Sequence, residues 1–216
     1  THGWSLKHIH RLILLSRTYQ QSSTGNEMAM KVDAGSRLLW RFPPRRLAAE
    51  EIRDTVLMLA GKLDERRGGP GFRLYEYTRD NVATYIPLDN FGPETYRRSL
   101  YHQNARASRV DLLADFDAPD CAFSIARRIP TTTPSQALSL MNHRFTFVMA
   151  EALAERLKVA PGENNADSQV GHAFQLAFGR EPKAEELAAS IKLVKQHGLR
   201  AFCRAILNSS ELIYVD

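Results

Sequence analysis

The sequence predicts a mainly α fold: a multi-helix, orthogonal or bundle-like domain with a small β element in the middle, at about residues 68–105. Three observations predict it. Apolar residues recur at i, i+3, i+4 and i+7 on both sides of the centre. The central stretch opened by Gly68-Gly69-Pro70-Gly71 loses that period. Helix start and stop residues fall where the periodic segments begin and end. With 216 residues, 44% of them hydrophobic and 25% charged, the chain is long and apolar enough to bury a core. The reading is one helical domain over 1–216, with N-terminal helices in 1–67, an irregular or β insert in 68–130 and a helical bundle in 131–216.

Trp4 to Tyr19 reads as a helix. Leu6, Ile9 and Ile13 share a face, and the run Leu12 to Leu15 makes it apolar on more than one side, so deep packing is expected. Gln21 to Ser36 is polar and Gly-containing and reads as a loop. Pro43-Pro44 stops any structure begun at Leu38. A helix from about Arg46 to Ala60 carries Ile52, Val56, Leu59 and Leu63, and Gly61 stands where it should end. In the middle, Phe72 to Tyr77, Val82 to Ile86 and Arg98 to His102 read as two or three short strands. Thr133-Pro134-Ser135-Gln136 starts the next helix, with Thr133 as cap, Pro134 at the first position and Gln136 closing a capping box. Four stripes follow: Phe145 to Leu153, Val170 to Phe178, Leu187 to Val194, and Leu199 to Leu207. Such faces must pack on one another.

The charge is uneven. The chain carries 29 basic and 24 acidic residues, and 22 of the 29 are Arg. Residues 1–108 hold 17 basic against 11 acidic, so the positive excess lies in the first half. Arginine is suited to forked recognition of carboxylate, phosphate or sulfate. An anionic partner therefore fits the composition, as do internal ion pairs. No nucleic-acid motif accompanies the charge, and nucleic acid is not expected as a partner.

Most strong chemical signatures are absent. There is no phosphate-binding loop, dinucleotide fingerprint, HExxH or GxSxG. No CxxCH occurs, so no c-type haem attaches to this chain, and no cofactor is expected in it. His2, His8 and His10 cluster, but two-residue spacing points helical side chains apart, and no metal site is expected. Asp115, Asp117 and Asp120 form an acidic loop without the Gly and Glu of a calcium loop. They are read as turn formers or partners of Arg127 and Arg128. That doublet precedes the helix start at Thr133, and Arg127, Arg128 and Thr133 are the candidate anion site. The competing expectation is that Asp115 or Asp117 already fills that place. Arg46, Glu50, Arg53 and Asp54 read as an ion network on one helix. Cys203 lies in an apolar stripe and reads as an inert thiol, while Cys121 follows the acidic loop and is more accessible.

Eight segments in order carry a family resemblance: WSLKHIHRLILLSRTYQQSS (4–23), RLLWR and RRLAAEEIRD (37–54), GKLDERRGGPGF (61–72), FGPETYRRSLY (91–101), DFDAPD (115–120), RRIPTTTPSQALSLMN (127–142), AFGREPKAEEL (177–187) and ILNSSELIYVD (206–216). The chain resembles the C-terminal domain of unknown function of large exported planctomycete proteins that carry planctomycete-type cytochrome c domains. Two local departures are a missing Pro in Asp33–Ser36 and Lys183 where a Ser or Thr cap is usual. The resemblance implies a mostly helical domain, a periplasmic or extracellular parent, and haem in other domains of that parent. It supplies no reaction and no catalytic residues. A chain that opens at Thr1 and is helical by Trp4 is expected to be part of something longer.

The function expected is a non-catalytic interaction or scaffold module, docking other domains of its parent or a redox or anionic partner. No apolar run approaches the roughly 20 residues of a membrane span. The alternative is a hydrolase acting on an anionic glycan, with Asp115, Asp117 and arginines lining a cleft.

Overall fold

The structure, a computed structural model, describes residues 3–79, 81–106, 110–159 and 165–215. It is mainly α, with ten helices and two two-stranded sheets among the described residues. The chain forms two compact units, residues 1–46 with 214–216, and residues 47–213.

The first unit holds α1 (Leu6–Leu14), α2 (Glu27–Asp33), β1 (Arg45–Arg46) and, from the far end of the chain, β4 (Tyr214–Val215). Ser5 starts α1, its hydroxyl accepting from the His8 N–H at 3.3 Å. The expected deep packing does not occur: no residue of α1 is buried, and Leu6, Ile9 and Ile13 are 73%, 50% and 50% exposed. The stripe is real, but the unit offers nothing to cover it. Ser36 is the one buried described residue in the unit. The expected loop at 21–36 is also corrected. Asn26 Oδ1 accepts from the N–H groups of Met28 and Ala29 at 3.0 and 3.1 Å and nucleates α2. After it, the Asp33 carboxylate accepts from the Arg37 and Leu38 N–H groups, and the Trp40 Nε1–H donates to Asp33 O at 2.8 Å. β1 pairs antiparallel with β4, Arg45 opposite Val215 and Arg46 opposite Tyr214, a ladder that local periodicity could not reveal.

The second unit begins with α3 (Ala49–Leu59), later than the expected start because Arg46 is in β1. Glu51 reaches back to the Ala48 N–H at 2.8 Å to close the start. At the end, Gly61 takes φ +66° and lets the Lys62 N–H reach Leu57 O at 2.9 Å. Ile52, Val56 and Leu59 are buried as their spacing predicts. The expected β element is a hairpin of β2 (Tyr75–Arg79) and β3 (Ala83–Pro87), with Tyr77 opposite Tyr85. Arg98 to His102 is not a strand; Ser99–Tyr101 forms a 3-10 turn. Asp54 Oδ1 accepts from both the Ser99 N–H (2.7 Å) and its hydroxyl (2.8 Å), which bends the chain there. Phe72 bridges His102 across the turn, and Gly71 sits so close to Tyr101 O that a Cβ would approach it to 2.6 Å.

Six further helices complete the unit: α4 (Asp111–Asp115), α5 (Pro134–Asn142), α6 (Arg144–Lys158), α7 (Ala166–Phe178), α8 (Ala184–His197) and α9 (Leu199–Leu207), followed by the short α10 (Ser210–Ile213). Thr133 is the N-cap of α5 in extended conformation, and Gln136 Oε1 accepts from its N–H at 3.3 Å. α9 packs on α6 and α8, and α8 on α7. Phe145, Met149, Leu153, Val170, Phe202, Cys203 and Leu207 fill the space between. Arg156 on α6 caps α3, donating to Met58 O and Leu59 O at 2.9 and 2.8 Å.

Two buried arginines hold the irregular middle. Arg53, 1% exposed, donates to Arg97 O at 2.9 Å, to the Ser99 hydroxyl at 3.2 Å and to Thr95 O. Its guanidinium stacks on Phe72 and Phe145 at 5.0 and 5.6 Å. Arg97 donates to Pro70 O, Gly68 O (2.6 Å) and Arg66 O (3.1 Å) and stacks on Tyr101 at 4.0 Å. Replacing Arg53 by Ala leaves Thr95 O and Arg97 O inside without donors. It should cost about 3 kcal/mol or more in urea unfolding, and Lys, which cannot fork, should not restore it. A loss below about 1 kcal/mol would contradict this account of the fold.

Candidate functional site

The side chains able to do chemistry converge on one cleft of the second unit, of about 340 Å³. α3 supplies Glu50. The segment after the 3-10 turn supplies His102, Asn104 and Arg106. α4 and the loop beyond it supply Leu113, Ala114, Ala118, Pro119, Asp120 and Cys121. That volume suits a small molecule.

Electrostatics set the state of its two best-placed groups. Burial, helped by the Arg53 cation, pushes His102 down to about 4 against the pull of nearby Asn104 and the Glu50 charge, so its imidazole is neutral at pH 7, and neither ring nitrogen has a hydrogen-bond partner among the described residues. Its ring lies 5.6 Å from that of Phe72. For Glu50, burial raises the pKa, but the hydrogen bonds and the charge of Arg128 outweigh it and leave the carboxyl below its usual range. The contact is a fork: Arg128 Nη1 and Nη2 meet Glu50 Oε2 and Oε1 at 2.7 and 2.9 Å.

The anion-site candidates therefore divide. Arg128 lies against Glu50, not against Asp115 or Asp117, while Arg127 and Thr133 are exposed. Each loop aspartate has a structural bond. Asp115 accepts from the Ser139 hydroxyl and ties α4 to α5. Asp117, in the left-handed region at φ +62°, accepts from the Thr131 N–H and hydroxyl at 2.8 Å each. Asp120 Oδ1 accepts from the Ala122 N–H at 2.8 Å in a local turn. Only Asp120 of the three lines the cleft. Cys121 is exposed and Cys203 buried, both as free thiols, and burial pushes Cys203 up to about 12. Among the described residues no three His, Cys, Asp or Glu side chains are placed to hold a metal ion; His2 lies outside them. The expected ion network survives only in part: Arg53 keeps Asp54 at 3.6 Å while turning inward to carbonyls, Glu50 turns to Arg128, and Arg46 is in β1.

Sequence reasoning did not single out His102, Asn104 or Arg106. Their convergence comes from the bend at Ser99, which no periodicity announces. Glu50 was visible, but its partner lies 78 residues away.

Two outcomes check this geometry. His102 titrates near 6.5 when unfolded and near 4 when folded, so its contribution is complete above pH 6.5 and is lost as pH falls toward 4. Unfolding free energy should drop by ~2 kcal/mol across that window after solvent screening, and His102→Asn should remove the drop. The Glu50–Arg128 pair is part-exposed, so a double-mutant cycle with Glu50→Gln and Arg128→Ala should give a coupling of about 0.5–1 kcal/mol that shrinks in high salt.

Residues 1–194 match the family described as PSD1, protein of unknown function (DUF1553), and the chain belongs to that family. No curated protein matches the chain, and no solved structure does.

Proposed function

We propose that this protein is a non-catalytic interaction module of an exported, cytochrome-c-associated multidomain protein, and that the apolar face of α1 docks on a neighbouring domain of that parent. The observation that carries the reading is the state of α1: nine residues, none buried, with Leu6, Ile9 and Ile13 on one face and Lys7 and Arg11 on another. An isolated helix this short is marginal in water and draws its stability from a packed apolar face. Trp4, Leu12, Leu14 and Leu15 are exposed beside it. The family supports the reading only as far as its description goes, which assigns no activity.

The test places a photo-crosslinking phenylalanine derivative at Ile9 or at Lys7 of the full-length protein. Crosslinks from position 9, and not from position 7, into another domain of the same polypeptide are expected by peptide mapping. Equal yields from the two positions, or none from position 9, would overturn the reading. So would turnover of a sulfated or uronic glycan that disappears in Asp120→Asn.

A further inference from the structure

Arg53 also lines a pocket of about 250 Å³ in the second unit. The inner wall is buried and consists of Arg53, Leu74, Leu112, Leu113 and Phe145. Asp89, Asn142 and Arg144 are exposed and lie at its mouth. A volume just under the usual range for drug-sized ligands suits one small ring or a short branched chain. Phe91 and Phe145 meet edge to face across part of the wall, with centroids 5.6 Å apart.

A guanidinium carries five N–H donors. Arg53 uses three of them: Nη1 donates to Arg97 O and to the Ser99 hydroxyl, and Nη2 to Thr95 O. The Nε–H and the second Nη2–H have no acceptor among the described residues. The nearest counter-charge, Asp54 at 3.6 Å from Nη1, is shared with Arg98, also at 3.6 Å. A buried cation is costly unless it is paired and fully hydrogen-bonded, and this one is 1% exposed. Burial holds its pKa down at about 10 in spite of Asp54, as expected of a cation short of anions. The other titratable groups on the lining are Asp89, Arg144 and His143. His143 Nδ1 already accepts from the Phe145 N–H at 3.2 Å. Arg144 adds positive charge on the way in.

We propose that this pocket binds a small monocarboxylate with an apolar body. Its carboxylate accepts from the open donors of Arg53, and its hydrocarbon part lies against Phe91, Phe145 and the leucines. A sugar is disfavoured, because its hydroxyls would be left unpaired against the apolar wall. The pocket shares only Val110 and Leu113 with the cleft that holds His102, and it is separate from the α1 face.

The test titrates the whole chain with benzoate, phenylacetate and isovalerate, and with the amide of each, by calorimetry and ligand-detected NMR. At least one acid should bind one-to-one in the millimolar range or tighter. Its amide should bind about tenfold more weakly or worse, for loss of a charge-assisted hydrogen bond. Leu88→Trp, which fills the pocket, should abolish binding at the parent's melting temperature. Asn142→Trp blocks the exposed mouth without touching the core and should do the same. Arg144→Gln should weaken binding about threefold, the value of one exposed charge. The inference is overturned if none of the three acids binds, if the amides bind as tightly as the acids, or if binding survives both Trp variants. Binding that Asp120→Asn removes would place the acid in the neighbouring cleft and overturn it too.

Discussion

The second unit depends on guanidinium groups that work as internal hydrogen-bond donors. Residues 60–74 and 88–106 contain no long helix or strand, yet they must lie against α3 and α6 without leaving carbonyls bare. Arg53 and Arg97 solve this from opposite sides. Arg53 reaches out of a helix to gather Thr95, Arg97 and Ser99; Arg97 reaches from that gathered loop to gather Gly68 and Pro70. The two act in series, since Arg97 is positioned by the carbonyl that Arg53 holds. Aromatic rings pack the faces of both cations, and Asp54 at 3.6 Å is the nearest counter-charge to Arg53. The charge is poorly compensated, and burial draws the Arg53 pKa down to about 10. Removing either arginine would therefore expose several unpaired groups at once.

How much of this was legible follows from where the information lies. The helices from Thr133 onward were readable because capping residues and i, i+3, i+4 stripes are local, and each stripe found a neighbour to pack on. The α3 terminator was readable because Gly61 supplies the left-handed turn that a side chain resists. The same local evidence misled at α1, where an apolar face was visible but its burial is a property of whatever covers it. It misled again at residues 98–102, where β-prone letters were overridden by one carboxylate on α3. The candidate cleft was barely legible. Asp120 and Cys121 stood out, but His102 and Glu50 reach the cleft through a bend and a pairing across 78 residues.

The two units contrast in a way that bears on function. One has a continuous core from Ala49 to Leu212, and the other has Ser36 as its one buried described residue. In the first, Arg53, Arg97, Arg128, Arg156 and Arg180 are held by internal partners. In the second, apolar side chains of α1 are left exposed alongside its charges. Composition alone drew attention to arginine as a possible anion reader, but the arginines that are buried or forked, Arg53, Arg97, Arg128 and Arg180, are used inside the fold.

The Arg53 fork has a consequence for how the loop at 93–99 can change over evolutionary time. Its oxygens at Thr95 and Arg97 are main-chain atoms, which every amino acid carries. At those two positions the fork recognises spacing and not the side chain, while its third contact, the Ser99 hydroxyl, depends on residue type. Substitutions at Glu94 or Tyr96 leave the carbonyl positions in register, whereas inserting or deleting one residue moves the wrong oxygens under the guanidinium. Loops usually accept length changes more readily than the elements they join. This one is fixed in length, and its spelling is free only where the side chain is not itself used, as Arg97 and Ser99 are.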